Sequence, residues 1–269
     1  MARALAAALL LALLAPAGAI EAEPASDVQG AAAAPDDSAS NGNGRSPGDP
    51  WEPFNRKIFA FNETVDHYAL EPIATGWNTV VPDRVETCLA NFFDNLQMPI
   101  HFANDLLQGK PWKAYETVWR VVVNTTVGLG GFFDPASAWQ IYKSNEDFGQ
   151  TLGVWGAPPG PYLVLPLLGP SSPRDATGMA VEAAATFPIG WYFIPTYVSV
   201  PARGVDIVNR RALALETIRE ERKAAFDWYA AVRSAFTQYR ENQVRDRAEA
   251  PKEPLETQEE DLYGIDENE

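Results

Sequence analysis

Few side chains in this sequence are of a type and spacing suited to bond-making chemistry. Two histidines, His67 and His101, one cysteine, Cys88, and the adjacent acids Glu146 and Asp147 stand out. General acid–base or nucleophilic catalysis needs such groups within hydrogen-bond reach of one another. The histidines fall on separate helical segments. Cys88 is set among Val85, Leu89 and Phe92 and reads as a small buried apolar residue. Neighbouring acids in a polar loop are usually solvated or paired with an arginine. The segment GPSSP at 169–173 lacks the spacing of a nucleophile elbow. No H-E-x-x-H, no cysteine pair and no G-x-x-x-x-G-K-[ST] occurs, so the usual zinc and nucleotide ligands are missing. The expectation is a non-enzyme with no catalytic residues, no metal and no cofactor; a periplasmic hydrolase is the weakest reading.

Charge narrows the partners. The formal net charge is −15, but the acids gather at the two ends, and residues 50–245 carry only −3. Nucleic-acid binding needs a concentrated basic face, and none is present. At the start, Arg3 precedes an Ala/Leu run and then Ala17-Gly18-Ala19, the order of a secretory signal peptide spanning 1–19. Residues 20–49 and 246–269 have too few apolar side chains to offset the entropy of ordering. They read as a disordered linker and an acidic disordered tail around one helical domain, 50–245.

Within that domain, the aromatic-rich stretches form short amphipathic segments. Phe54, Ile58, Phe61, Val65 and Tyr68 recur on one helical face, with Pro53 in the first turn. Asp83 is placed to cap a second helix. A third spans 99–108, stopped by Gly109, and a fourth opens at Pro111. The fourth carries Trp112, Tyr115, Val118, Trp119 and Val122 over a broad arc, which is either central to a core or facing lipid. Pro and Gly interrupt 128–170, which reads as a structured loop with an extended hairpin around 162–167. Ser172, Pro173 and Asp175 form the start of a helix over 173–186. From 183 to 202 no residue is charged; Pro188, Gly190 and Pro195 point to an interfacial segment bearing Trp191, Tyr192 and Tyr197 rather than a continuous span, with an ordinary core piece of equal weight. Phe226, Tyr229, Val232, Phe236 and Tyr239 predict one or two C-terminal helices packed back on the body, leaving 219–223 in water.

Five blocks carry a resemblance: DPWEPFNRKIFAFNETVD (49–66), NFFDNLQMPIHFANDLLQGK (91–110), VNTTVGLGGFFDPAS (123–137), EDFGQTLGVWG (146–156) and GPYLVLPLLGPSSPRD (160–175). In this order they resemble the MlaA family, also called VacJ, of outer-membrane lipoproteins. The resemblance implies an all-α fold: a ring-like arrangement of short helices with a Pro/Gly-interrupted hairpin loop, lying in the periplasmic leaflet of the outer membrane around an amphipathic channel. It implies removal of misplaced phospholipid from the outer leaflet, with a trimeric porin and a soluble periplasmic lipid carrier as partners. Residue by residue, the lipid path it implies includes Phe59, Phe61 and Asn62 on the first helix, and Gly160, Pro161, Tyr162, Leu163, Val164, Leu165, Pro166 and Leu167 in the hairpin. Asn124, Thr125 and Thr126 are candidates for a polar strip beside it. One departure is that Ala17-Gly18-Ala19-Ile20 stands where the family has a lipobox cysteine. The reading from another class is a structural envelope protein that binds a porin without moving lipid.

Overall fold

A computed structural model of the chain describes residues 49–193 and 196–245, and their side chains apart from 186–197. The segments expected to be a signal peptide, a linker (all but Asp49) and an acidic tail lie outside the described residues, as do the side chains of Trp191, Tyr192 and Tyr197. The elements are α1 (Glu52–Val65), a π-helical turn (Asp66–Leu70), α2 (Glu71–Val80), α3 (Asp83–Leu107), α4 (Pro111–Thr126), α5 (Pro135–Ala138), α6 (Phe148–Val154), β1 (Leu163–Leu165), β2 (Gly169–Ser171), α7 (Pro173–Phe193), α8 (Thr196–Leu213), α9 (Leu215–Ala224) and α10 (Trp228–Arg245). The fold is all-α with one two-stranded antiparallel hairpin, in which Leu163 faces Ser171 and Leu165 faces Gly169.

The packing order closes on itself. α1 lies against β1, β2 against α10, α10 against α6 and α6 against α7; α7 meets α8, α8 packs on α2, and the π-helical turn returns to α1. α3 bears on α4, α6 and α8. At the α6–α7 crossing a Cβ on Gly178 would come within 2.4 Å of the Gly149 nitrogen, so glycine permits this approach.

Several boundaries differ from those the spacing predicts. The second and third expected helices are one, α3, with Pro99 inside it and Gly109 at φ +73° ending it. Asp83 is its first residue, with Pro82 at the cap, so its carboxylate acts through the helix dipole. α7 begins as predicted: the Asp175 amide donates to Ser172 Oγ at 3.1 Å, and Ser172 Oγ donates to Asp175 Oδ2 at 2.8 Å. It then runs past 186, through Pro188 and Gly190, to Phe193. A proline inside a helix removes one N–H donor, and the rest of the backbone ladder holds the turn. Two short helices, α5 and α6, stand inside the stretch read as a loop, each opened by an aspartate cap.

Three helices, not one or two, complete the described residues. Phe226 lies in the break between α9 and α10, fully exposed, while Tyr229 is buried. Arg219 and Arg222, expected in water, pair with acids of α1, the π-helical turn and α2: Arg219 with Glu71 at 2.8 Å, Arg222 with Glu63 at 2.9 Å and Asp66 at 3.2 Å. Cys88 is half-buried.

Candidate functional site

The hairpin is held by two asparagines. Asn55 and Asn62 are seven residues apart on α1, two turns, and so share a face. Asn55 Nδ2 donates to the Tyr162 carbonyl at 2.9 Å and to Asp49 at 2.8 Å, while Val164 N–H donates to Asn55 Oδ1 at 3.0 Å. Asn62 repeats the pattern, donating to the Leu165 carbonyl at 2.9 Å and accepting from the Leu167 amide at 2.8 Å. A side-chain amide offers the donor and acceptor of a neighbouring strand, so the two residues cover the open edge of β1. Behind this seam, Tyr162, Val164 and Tyr229 form a buried apolar cluster with Ile58, Phe59 and Phe236 against it.

Of the residues expected on a lipid path, Phe59 stacks edge-on against Tyr229 at 5.4 Å. Tyr162 and Val164 are buried, Pro161, Leu163 and Leu165 are half-buried, and Gly160, Pro166, Leu167 and Phe61 are exposed. Gly160, at φ +75°, turns the chain beside Pro173. Asn62 has both amide ends engaged with the hairpin backbone. Asn124 stands elsewhere, buried on α4, donating to Asp134 at 2.9 Å and accepting from the Ala136 amide at 3.1 Å. Thr125 accepts from Asn95 at 3.1 Å, and Thr126 is exposed.

A cavity of about 100 Å³ lies inside the ring of elements, between α3, the 143–147 segment, β2, α7, α8 and α10. The hairpin reaches it through Pro170 and Ser171. Its wall has two characters. Ile100, Met179, Phe236 and Pro170 are apolar, while Asp94, Lys143, Asp147, Glu182, Arg210 and Arg240 bring charge. Spacing did not single out this charged set, since its members come from distant segments, although Asp94 and Asp147 fall inside two of the resembling blocks.

The charges are tied in networks. Asp94 accepts from Lys143 at 2.8 Å and from Arg210. Burial raises its pKa, but these two cations outweigh that and hold it below the ordinary carboxylate value. Asp147 is likewise pushed up by burial and pulled below its ordinary value by Arg240 and by the Gln150 amide it caps. Glu146 is buried, paired with Lys110 at 3.1 Å and Lys113 at 3.4 Å. The adjacent acids therefore serve as pairing groups for cations, not as a solvated loop. Glu182, in the same wall, accepts from Asn104 at 3.1 Å. Its burial lifts its pKa to about 7, against the Phe148 amide that donates to it at 2.6 Å. His101 also lines the cavity and bonds the Glu146 carbonyl at 2.8 Å, whereas His67 is exposed beside Glu71.

Outside, polarity is inverted. On α4, Ala114, Thr117, Arg120, Val123 and Asn124 are buried, while Trp112, Tyr115, Val118, Trp119 and Val122 are exposed, Trp112 by 70%. This resolves the choice that the broad apolar arc leaves open: the arc faces outward. Exposed large apolar residues extend over α1, α3 and the 127–133 turn. Contiguous apolar surface of this kind marks a membrane or protein contact. Among the described residues no helix is long and apolar enough to cross a membrane.

The family profile described as MlaA lipoprotein matches residues 47–243. The chain belongs to the MlaA lipoprotein family. An intermembrane phospholipid transport system lipoprotein MlaA of Haemophilus influenzae is 38% identical over 201 residues, covering 74% of this chain and 80% of that protein. Its counterpart in Escherichia coli is 34% identical over 206 residues, covering 75% and 79%. An uncharacterized protein of Rickettsia bellii is 38% identical over 208 residues, covering 77% and 81%. A solved structure, reported as the structural basis for maintenance of bacterial outer membrane lipid asymmetry, superposes with a TM-score of 0.63 at 32% identity, covering 74% of this chain and all of the other. The MlaA family fold thus accounts for the ring, and the matched segment coincides with almost all of the described residues.

Proposed function

We propose that this chain moves phospholipid within the Gram-negative cell envelope. It lies in the periplasmic leaflet of the outer membrane, takes phospholipid that has strayed into the outer leaflet, and passes it through the ring to a soluble carrier, beside a trimeric porin. No covalent bond is made or broken, and no cofactor takes part. The observation that carries this reading is the two-sided wall of the central cavity, set in a ring whose outward surface is aromatic and aliphatic. Acyl chains favour the apolar side, a headgroup favours the charged side, and the outer surface lowers its free energy by leaving water. Phe59, Phe61, Asn62 and the 160–167 hairpin border the passage in this reading. The broad aromatic face adds to membrane attachment, since a single acyl chain binds only marginally.

The test is extraction of labelled phospholipid from one leaflet of reconstituted vesicles. The double substitution Leu163→Asp and Leu165→Asp places charge on half-buried hairpin positions; transfer is expected to stop while the helical signal persists. Undiminished transfer would take the hairpin out of the path. Absence of transfer by the unsubstituted chain, with intact binding to a porin, would favour the scaffold reading instead.

A further inference from the structure

A second, more polar pocket of about 200 Å³ lies between α3, α4 and the 134–143 segment, sharing Asp94 and Lys143 with the wall of the central cavity. Its lining carries two cations, Arg120 and Lys143, and two carboxylates, Asp94 and Asp134, so its charge is balanced. Most of its polar atoms are engaged. Arg120 donates to Asp134 at 2.7 Å, to Ser137 at 3.2 Å and to the Ile141 carbonyl. Two buried atoms have no protein partner: the Nε–H of Arg120, which is 2% exposed, and Oδ1 of Asn95, which is 9% exposed. One is a donor on a cation and the other a neutral acceptor.

An unmatched buried polar atom is costly, and a pocket offering one of each sign is best completed by a ligand with both complements. A bare anion would leave Asn95 unmatched; a bare cation would leave Arg120 unmatched. A ligand with net charge would also disturb the balance of the lining at low dielectric. The position of Asn95 is built rather than incidental. Gly131, at φ +97°, has its backbone against this side chain, and a Cβ there would approach Asn95 Cβ to 2.7 Å.

We propose that this pocket reads a zwitterionic phospholipid headgroup, with the phosphodiester at Arg120 and the primary ammonium at Asn95. This rests on the transport reading above and adds a headgroup class to it. The pocket shares Asp94 and Lys143 with the wall of the central cavity, so a headgroup lodged here lies one ion pair away from the apolar side that takes the acyl chains.

The test is titration of the full-length chain in detergent with dihexanoyl phosphatidylethanolamine, dihexanoyl phosphatidylglycerol, dihexanoylglycerol and inorganic phosphate. Preference for the ethanolamine lipid over the glycerol lipid by about tenfold is expected, the scale of one charge-assisted hydrogen bond. Dihexanoylglycerol and phosphate should not compete. Asn95→Leu should abolish the preference, and Gly131→Ala, which displaces Asn95, should reduce it; melting curves taken alongside confirm that each variant is folded. Equal binding of the two lipids, competition by phosphate alone, or a preference that survives in folded Asn95→Leu would overturn the assignment. Vesicle extraction separates the two levels: transfer by the unsubstituted chain without headgroup discrimination sinks only this pocket, and no transfer at all sinks the transport reading.

Discussion

The seam between α1 and the hairpin and the seam between α3 and α4 solve the same problem in opposite ways. At the first, apolar rings are inside: Tyr162, Val164 and Tyr229 pack together, and two asparagines cover the backbone edge. At the second, the inside is polar. Thr117 donates to Asp105 at 2.8 Å, Asn95 donates to Thr125 at 3.1 Å and Ser144 donates to the other Asp105 oxygen at 2.8 Å; the polar line continues beyond α4 to α6 and α7, where Asn104 links Thr151 to Glu182. The apolar residues of α4 face out. A seam held mainly by hydrogen bonds depends little on hydrophobic drive from its surroundings. That suits an element whose outer face is apolar, whereas the hairpin side is organised like the core of a water-soluble protein.

The largest expected effect breaks this contrast at the outward face. Replacing Trp112, Tyr115 and Trp119 together by Ser should weaken binding to phospholipid vesicles by about 3 kcal/mol or more, from the apolar area withdrawn. Stability in detergent-free buffer should change little or improve, because these rings are exposed in the fold. Co-sedimentation with vesicles and chemical denaturation check the two halves, and unchanged sedimentation would show that α4 does not meet lipid.

Next in size is the hairpin clamp. Asn55→Ala removes three buried hydrogen bonds and strands the Val164 amide, with an expected cost of about 3 kcal/mol. Asn62→Ala, in a half-buried site, should cost about 1 kcal/mol. Equal losses would mean that burial does not distinguish the two positions. For the polar seam, Asn104→Leu leaves Glu182 and Thr151 without their shared partner, and a loss of about 2 kcal/mol is expected in a denaturant titration.

The smallest effect is a slope. Burial lifts the folded pKa of Glu182 to about 7, against 4.5 for an ordinary glutamate, so between these values the folded chain holds a proton that the unfolded chain has released. Stability contributed at this position therefore falls as pH rises from about 4.5 to about 7, then levels. Asp147 runs the other way: held below its ordinary value, it contributes stability at neutral pH that is lost on acidification. Glu182→Gln should flatten the decline between pH 5 and pH 7, on the order of those pKa values, and be relatively more stable at pH 8; an unchanged profile would show that Glu182 is not the titrating group.

Local chemistry made much of the fold legible. Pro53, Pro111 and the Ser172-Pro173-Asp175 cap announced helix starts, Gly109 a stop, and the Pro/Gly pattern the hairpin, because each acts within a few residues of backbone. Proline misled where it was read as a boundary: Pro99 sits inside α3 because the neighbouring turns hold the helix together. Phe226 fitted a helical spacing yet falls in a break, since periodicity does not report where a helix begins.

By itself the sequence determined most of the element types, the family and the absence of the familiar catalytic motifs, all consequences of short-range residue order; the short helices α5 and α6 escaped it. Only the tertiary structure decided which way polarity faces. The arc on α4 is equally compatible with a core or with lipid until the partner helix supplies Asp105 and the 134–141 segment supplies bonds to Arg120 and Asn124. It also brought Asp94, Lys143 and Arg210 to one wall from residues 49 to 116 positions apart. Burial and pairing depend on what comes alongside in space, and residue spacing along a chain carries no record of that.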